Sequence, residues 1–151
     1  MKRLLGLAAL AALLAPVPAL AALGGDTASI EADRARLDGT TQIKQAATFH
    51  IHEITARNGA TVREFVSPNG NVFGVAWKGQ FAPDMQQLLG PYFEQYEAAV
   101  KAQKASYVGR RPLNLQLPGL VVQMTGHMRA LHGRAYLPQQ LPQAMKAEDV
   151  W

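Results

Sequence analysis

The chain has 151 residues, no cysteine, and 15 lysine and arginine residues against 11 aspartate and glutamate residues. Without cysteine there can be no disulfide bond and no thiol chemistry, so the fold depends on an ordinary hydrophobic core. The near balance of charge argues against a nucleic-acid-binding protein, which needs a clustered basic face.

The start of the chain has the three parts of a cleavable export signal. Residues 2–3 are a basic pair, residues 4–14 are apolar, and residues 19–21 offer the small side chains that a signal peptidase accepts. This apolar run is too short for a membrane span, which takes roughly 20 residues. We therefore predict that residues 1–21 are removed. Residues 22–151 would form one exported domain, periplasmic or extracellular, with no stable membrane anchor.

A short amphipathic helix is predicted from Asp26 to Asp38. Thr27 or Ser29 would cap its start, because a hydroxyl can accept a hydrogen bond from a free backbone N–H of the first turn. Its basic residues come late, as the helix dipole prefers. Gly39 would end it.

Three strands of an antiparallel meander are predicted next. Apolar and polar residues alternate from Ala46 to Ile54, and Asn58-Gly59 then gives a strong hairpin signal. The return strand runs from Thr61 to Val66. After a second turn at Ser67–Gly70, built from turn-forming residues, a third strand runs from Val72 to Trp77.

Two helical segments follow the meander. The first covers residues 83–89, and the second begins at Pro91, a favoured first helical residue, and ends near Lys104. Tyr92, Phe93 and Tyr96 form an aromatic stripe on the second helix. We interpret this stripe as core, with a binding platform as the alternative.

The last third of the chain has strand-like composition. Residues 113–117, 120–124 and 127–136 are predicted to add strands to the same sheet, with bends at the glycines between them. The fold class is therefore α+β: an antiparallel meander sheet with two or three short helices in a single domain. Trp151 follows as part of a tail, predicted to be frayed, with a docking role as the alternative.

Histidine placement gives the one candidate metal site. His50 and His52 are two apart, so both rings would lie on one face of a strand. A third ring from His127, or else from His132, would complete a three-ligand site with an open coordination position. Glu53 would point to the opposite face and stay out of the site.

A simpler interpretation places His50 and His52 on the solvent face of a strand whose core face is Phe49 and Ile51. A bare H-x-H lacks the further spacing that makes a zinc motif specific. We predict no catalytic residue and no cofactor, because no serine lies in a nucleophile elbow and the acidic residues are scattered.

Three stretches of the sequence resemble a family of small exported proteobacterial proteins known as domain of unknown function 2844. They are Ala22–Gly25, the run from His52-Glu53-Ile54 through Val62–Gly70 to Val72-Phe73, and the late Gly126–Ala130 with Gly133–Tyr136. The resemblance implies export and a single domain. It implies no activity, cofactor or catalytic residue.

Three functions stay open at this point. The first is a non-enzymatic exported protein that binds an envelope or secreted protein partner, with no nucleic acid involved. The second is a metal-dependent protein that uses His50 and His52. The third is a small-ligand-binding protein whose site lies between the aromatic helix and the sheet.

Overall fold

The computed structural model describes residues 23–106 and 112–151, apart from the side chains of residues 104–106. The predicted signal, residues 1–21, lies outside the described residues. The helices are α1 (Thr27–Arg36), α2 (Met85–Leu89) and α3 (Phe93–Ser106), with short 3-10 turns at Gly90–Tyr92, Pro138–Gln140 and Ala147–Asp149. The strands are β1 (Thr40–Gln45), β2 (His50–Thr55), β3 (Thr61–Val66), β4 (Val72–Gly79), β5 (Leu113–Leu117), β6 (Leu120–His127) and β7 (Ala130–Tyr136).

All seven strands join one antiparallel sheet in the order β1-β2-β3-β4-β7-β6-β5. The predicted meander corresponds to β2, β3 and β4, and the predicted late strands correspond to β5, β6 and β7. The two groups meet where β7 pairs with β4, and the chain between them carries α2 and α3. The predicted α+β class and antiparallel sheet are confirmed.

Two local predictions were wrong, and one strand was not predicted. The N-cap of α1 is Asp26, whose carboxylate accepts a hydrogen bond from the backbone N–H of Ser29, rather than Thr27 or Ser29. Strand β2 begins at His50, not Ala46. Strand β1 was not predicted, because Thr40–Gln45 is almost entirely polar and lies exposed at the edge of the sheet, so it has no alternating apolar pattern.

The Asn58-Gly59 turn forms, but not as the two-residue turn that this pair favours, in which both residues have positive φ. Only Gly59 has a positive φ, of 80°. Backbone hydrogen bonds from Ala56 to Ala60 and from Gly59 to Ala56 make it a longer loop with a left-handed glycine, the next most common way to close a hairpin.

The two faces of the sheet are covered by different parts of the chain. On one face, which we call the helix face, α1, α2 and α3 bury a core that includes Ile54, Val62, Val75, Trp77, Val122 and Ala135. Tyr96 is buried in this core, with Tyr92 and Phe93 packed against it, so the aromatic stripe at the start of α3 and in the turn before it is core as predicted. On the other face, which we call the tail face, residues 138–151 cover a second cluster that includes Phe65, Phe73, Tyr136, Met145 and Val150.

Candidate binding site

The side chains of the tail face fall into three rows that cross the strands, because paired residues of an antiparallel sheet stand side by side. The first row is mainly apolar: Val121, Tyr136, Gly74, Phe65 and Ile51. The second row is mainly charged: Gln123, Arg134, Ala76, Arg63 and Glu53. The third row is polar: Thr125, His132, Lys78 and Thr61.

The tail covers the apolar row and leaves much of the two polar rows open. Val150 is fully buried and lies so close to Gly74 that a Cβ added there would be 3.2 Å from its side chain. Met145 is buried in the same cluster. The tail therefore passes over the apolar row, and its last residue, Trp151, comes to lie over the polar ones.

Trp151 is held in place by two arginines. The guanidinium of Arg134 lies over the indole, 4.9 Å from its centroid. The same group donates hydrogen bonds to the main-chain oxygen of Ala147 at 2.6 Å and to Oε1 of Gln123 at 2.7 Å. Arg63 donates from Nη1 to the main-chain oxygen of Trp151 at 3.0 Å. The prediction of a frayed tail was therefore wrong, since these contacts fix the residue while 42% of its surface stays exposed.

Two clefts meet at Trp151. The larger, of about 430 Å³, is lined by Glu53, Thr61, Arg63, Ala76, Trp77, Lys78, His132 and Trp151. The smaller, of about 300 Å³, is lined by Pro112, Leu113, Asn114, Gln123, Met124, Thr125 and Trp151. We call the two clefts together the tail-face groove. The larger cleft has room for a small molecule or one segment of a polymer.

The described side chains that line the groove carry one net positive charge, from Arg63 and Lys78 against Glu53. Glu53 is its one acidic side chain among the described residues, and it accepts hydrogen bonds from Arg63 at 2.5 Å and Lys44 at 3.2 Å. The hydrogen bond from Arg63 is the main reason that the pKa of Glu53 lies below its usual value. Lys78 forms no ion pair within the described part of the chain. A negatively charged ligand would therefore meet a favourable field.

The comparisons with known proteins establish the family. The model for the family described as protein of unknown function (DUF2844) matches residues 19–150. The chain belongs to this family. The match takes in all seven strands of this DUF2844 protein and every groove residue except Trp151. Searches of curated proteins and of solved structures found no match.

The predicted three-histidine metal site is not assembled. His50 and His52 do share one face, the helix face, with Ile54, while Glu53 points to the tail face as predicted. His127 lies on β6, four strands from β2, which is roughly 19 Å at the usual strand spacing. Among residues 23–106 and 112–151, no three His, Cys, Asp or Glu side chains are grouped to hold a metal ion.

The two β2 histidines are half-buried rather than solvent-facing. Burial is the main reason that the pKa of His52 lies below its usual value, and the charge of His50 adds to it. The paired position of His52 on β3 is Glu64. The histidines therefore border a buried acidic pair.

That pair consists of Asp33 on α1 and Glu64 on β3, between the helices and the sheet. Both residues are buried, and Nε2 of Gln87 on α2 donates a hydrogen bond to Asp33. Burial raises the pKa of Glu64 to about 9 and that of Asp33 to about 6. The charge of Asp33 adds to the effect of burial on the pKa of Glu64, and neither oxygen of Glu64 has a hydrogen-bond partner within the described residues.

Sequence reasoning missed Arg63, Lys78 and Arg134 as members of a site. The sequence does contain a signal for them. Each lies on a strand next to apolar core residues, so the alternation of side chains places it on the opposite face. On β7, for example, His132, Arg134 and Tyr136 are two residues apart and share one face. Strand β7 pairs with its sequence neighbour β6 on one side and with the distant β4 on the other, and the pairing with β4 brings Arg134 and Arg63 onto the same row. No local pattern specifies that pairing.

Replacing Arg134 tests how Trp151 is held. Arg134→Met removes two hydrogen bonds and the cation over the indole, so we expect a loss of about 1–2 kcal/mol in the free energy of unfolding. Quenching of Trp151 fluorescence by acrylamide should increase. Arg57→Met is the matched control, because the Arg57 side chain is 83% exposed and forms an ion pair with Asp38 at the surface. Equal quenching in both variants would contradict this account of the tail.

Proposed function

We propose that the protein is a non-enzymatic exported binding protein of the cell envelope, acting as a single domain of residues 22–151, and that it binds its partner in the tail-face groove. The observation that carries the proposal is the groove itself: an exposed tryptophan, fixed by two arginines, between two open clefts. Fixing a large aromatic side chain before the partner arrives lowers the entropy cost of binding.

The surface chemistry favours binding over catalysis. Tryptophan and arginine are the residue types that most often dominate binding energy at protein interfaces. The groove also offers hydroxyl and amide groups from Thr61, Thr125 and Asn114. Within the described residues, none of the helices is long and apolar enough to cross a membrane.

The groove lies on the face opposite the one expected from the sequence. The sequence suggested a small-ligand site between the aromatic helix and the sheet, but Tyr96 is packed into the core at that interface. The large cleft lies on the tail face instead.

Capture from the protein's own cells tests the proposal. The tagged full chain is expressed with its own signal, cross-linked mildly and purified, beside the variants Trp151→Ala and Phe81→Ala. Phe81 is the matched control, because it is 73% exposed and lies outside the groove. We expect one product common to the unmodified chain and Phe81→Ala that falls at least tenfold in Trp151→Ala. Equal recovery with all three would contradict the proposal.

Export is tested separately. We expect the purified protein to begin at Ala22 and to fractionate with the periplasm or the medium, because residues 19–21 suit a signal peptidase. A chain lacking residues 2–21 should stay in the cytoplasm. N-terminal sequencing and cell fractionation give the result, and an intact N-terminus on the exported protein would show that the signal is not cleaved.

A further inference from the structure

We infer that the ligand of the tail-face groove is an acidic polysaccharide, a chain of sugars that carry carboxylates. This inference rests on the proposed function and names the chemical class of the partner. Three properties of the groove support it: its charge, the exposed aromatic surface of Trp151, and its length across the strands.

The charge of the groove calls for an anion. Arg63 and Lys78 project into the larger cleft from adjacent strands, and Arg134 lies under Trp151. Arg63 uses two of its five N–H groups, for Glu53 and for the main chain of Trp151, which leaves three for a ligand. A carboxylate between Arg63 and Lys78 would therefore gain charge-assisted hydrogen bonds.

The aromatic surface suits a sugar ring. The guanidinium of Arg134 lies over the Trp151 indole, the His132 ring contacts it at a tilt of 58° with centroids 5.6 Å apart, and 42% of the residue remains exposed. A pyranose ring has an apolar face of C–H groups that can pack flat on an indole, while its hydroxyls point outward. An indole offers such a large, rigid apolar surface at low entropy cost.

The length of the groove suits a chain of sugars. The larger cleft lies over β2, β3, β4 and β7, and the smaller lies over β5 and β6, with Trp151 lining both. One unit stacked on Trp151 would have neighbours in both clefts. Thr61 and Lys78 would meet one neighbour, and Asn114 and Thr125 the other, so that ligand hydroxyls find hydroxyl, amide and ammonium partners.

Binding of a defined oligomer tests the inference. The exported protein is titrated calorimetrically with a hexamer of galacturonic acid and with its fully methyl-esterified form, which keeps the rings but lacks the charges. We expect the acidic hexamer to bind at least tenfold more tightly, and the difference to shrink in high salt. No binding of the acidic hexamer, or equal binding of both, would overturn the inference.

Three variants locate the contact. Lys78→Gln should weaken binding of the acidic hexamer about tenfold, since it removes one charge-assisted contact, and Trp151→Ala should weaken both hexamers. Lys101→Gln is the control, because Lys101 pairs with Glu97 on α3, which lies on the helix face. A loss in Lys101→Gln equal to that in Lys78→Gln would overturn the inference. Unchanged melting temperatures would show that each variant is folded.

The captured product separates this inference from the proposed function. A product that depends on Trp151 and resists protease but not polysaccharide lyase supports both. A Trp151-dependent product that is destroyed by protease keeps the groove as the binding site but overturns the polysaccharide. A product that does not depend on Trp151 removes the proposed function itself.

Discussion

Gly133→Ala should destabilise the protein by about 3 kcal/mol or more, because there is no room for a methyl group at this position. Gly133 lies on β7 opposite Trp77 on β4. A Cβ added there would be 2.4 Å from Cζ2 of the Trp77 ring and 2.6 Å from the main-chain oxygen of Gln123. The backbone of β6 cannot move away without breaking its ladder with β7.

Chemical denaturation measures this effect. The matched control is Gly119→Ala in the β5–β6 turn, where the added methyl would meet no atom within 4 Å but φ is 73°. The control should cost only about 1 kcal/mol, the usual strain of a non-glycine residue in the left-handed region. If Gly133→Ala cost no more than Gly119→Ala, the close packing of Trp77 on β7 would be wrong.

Glu64→Gln should raise the free energy of unfolding at pH 9 by at least about 2 kcal/mol. The glutamine amide stays neutral at this buried position, whereas the carboxyl of Glu64 ionises there at high pH. The folded protein raises the pKa of Glu64 from 4.5 to about 9 and that of Asp33 from 3.8 to about 6. A raised pKa means that the folded state binds the proton more tightly. The stability from this pair is therefore complete below about pH 4 and is lost as pH rises through 6 and then 9.

The sign can be checked with a second glutamate. Glu53 has a lowered pKa because Arg63 and Lys44 hold its charged form. Glu53→Gln should therefore reduce stability at pH 7 by about 1 kcal/mol, and the loss should disappear as pH falls below 4. Thermal unfolding measured from well below pH 4 up to pH 9 tests both variants. A stability that rises with pH and does so equally in the unmodified chain and Glu64→Gln would contradict the buried pair.

Charged groups near Asp33 and Glu64 also affect how stability depends on pH. The Arg36 charge favours the ionised form of Asp33, and Asp84 opposes it. His52 stands beside Glu64 on the neighbouring strand.

Gln87→Ala removes the donor to Asp33 and should lower stability most at high pH, where Asp33 is ionised.

Much of the fold was predictable because its signals are local. Asn58-Gly59 and Ser67–Gly70 place left-handed glycines where hairpins need them, and the structure turns at both. Pro91 marks the junction before α3, although the structure has a 3-10 turn there first. Strand β1 was not predictable in this way, since an exposed edge strand such as Thr40–Gln45 needs no apolar alternation.

The site was not predictable, because long-range packing creates it. The spacing of His50 and His52 suggested a metal site, yet His127, the predicted third ligand, lies four strands away in the sheet. Trp151 was predicted to be part of a frayed tail, because nothing in the neighbouring sequence indicates its contacts with Arg134 and Arg63. Spacing along one strand fixes which side chains share a face, whereas strand order decides which of them meet.

Site-specific photo-cross-linking in intact cells tests the central claim, that the tail-face groove binds the partner. A photo-reactive side chain is placed at position 61 in the groove or at position 94, which is exposed on α3. We predict an adduct from position 61 that disappears in the presence of Trp151→Ala, and no such adduct from position 94. An adduct from position 94 alone, or one from position 61 that survives Trp151→Ala, would contradict the account.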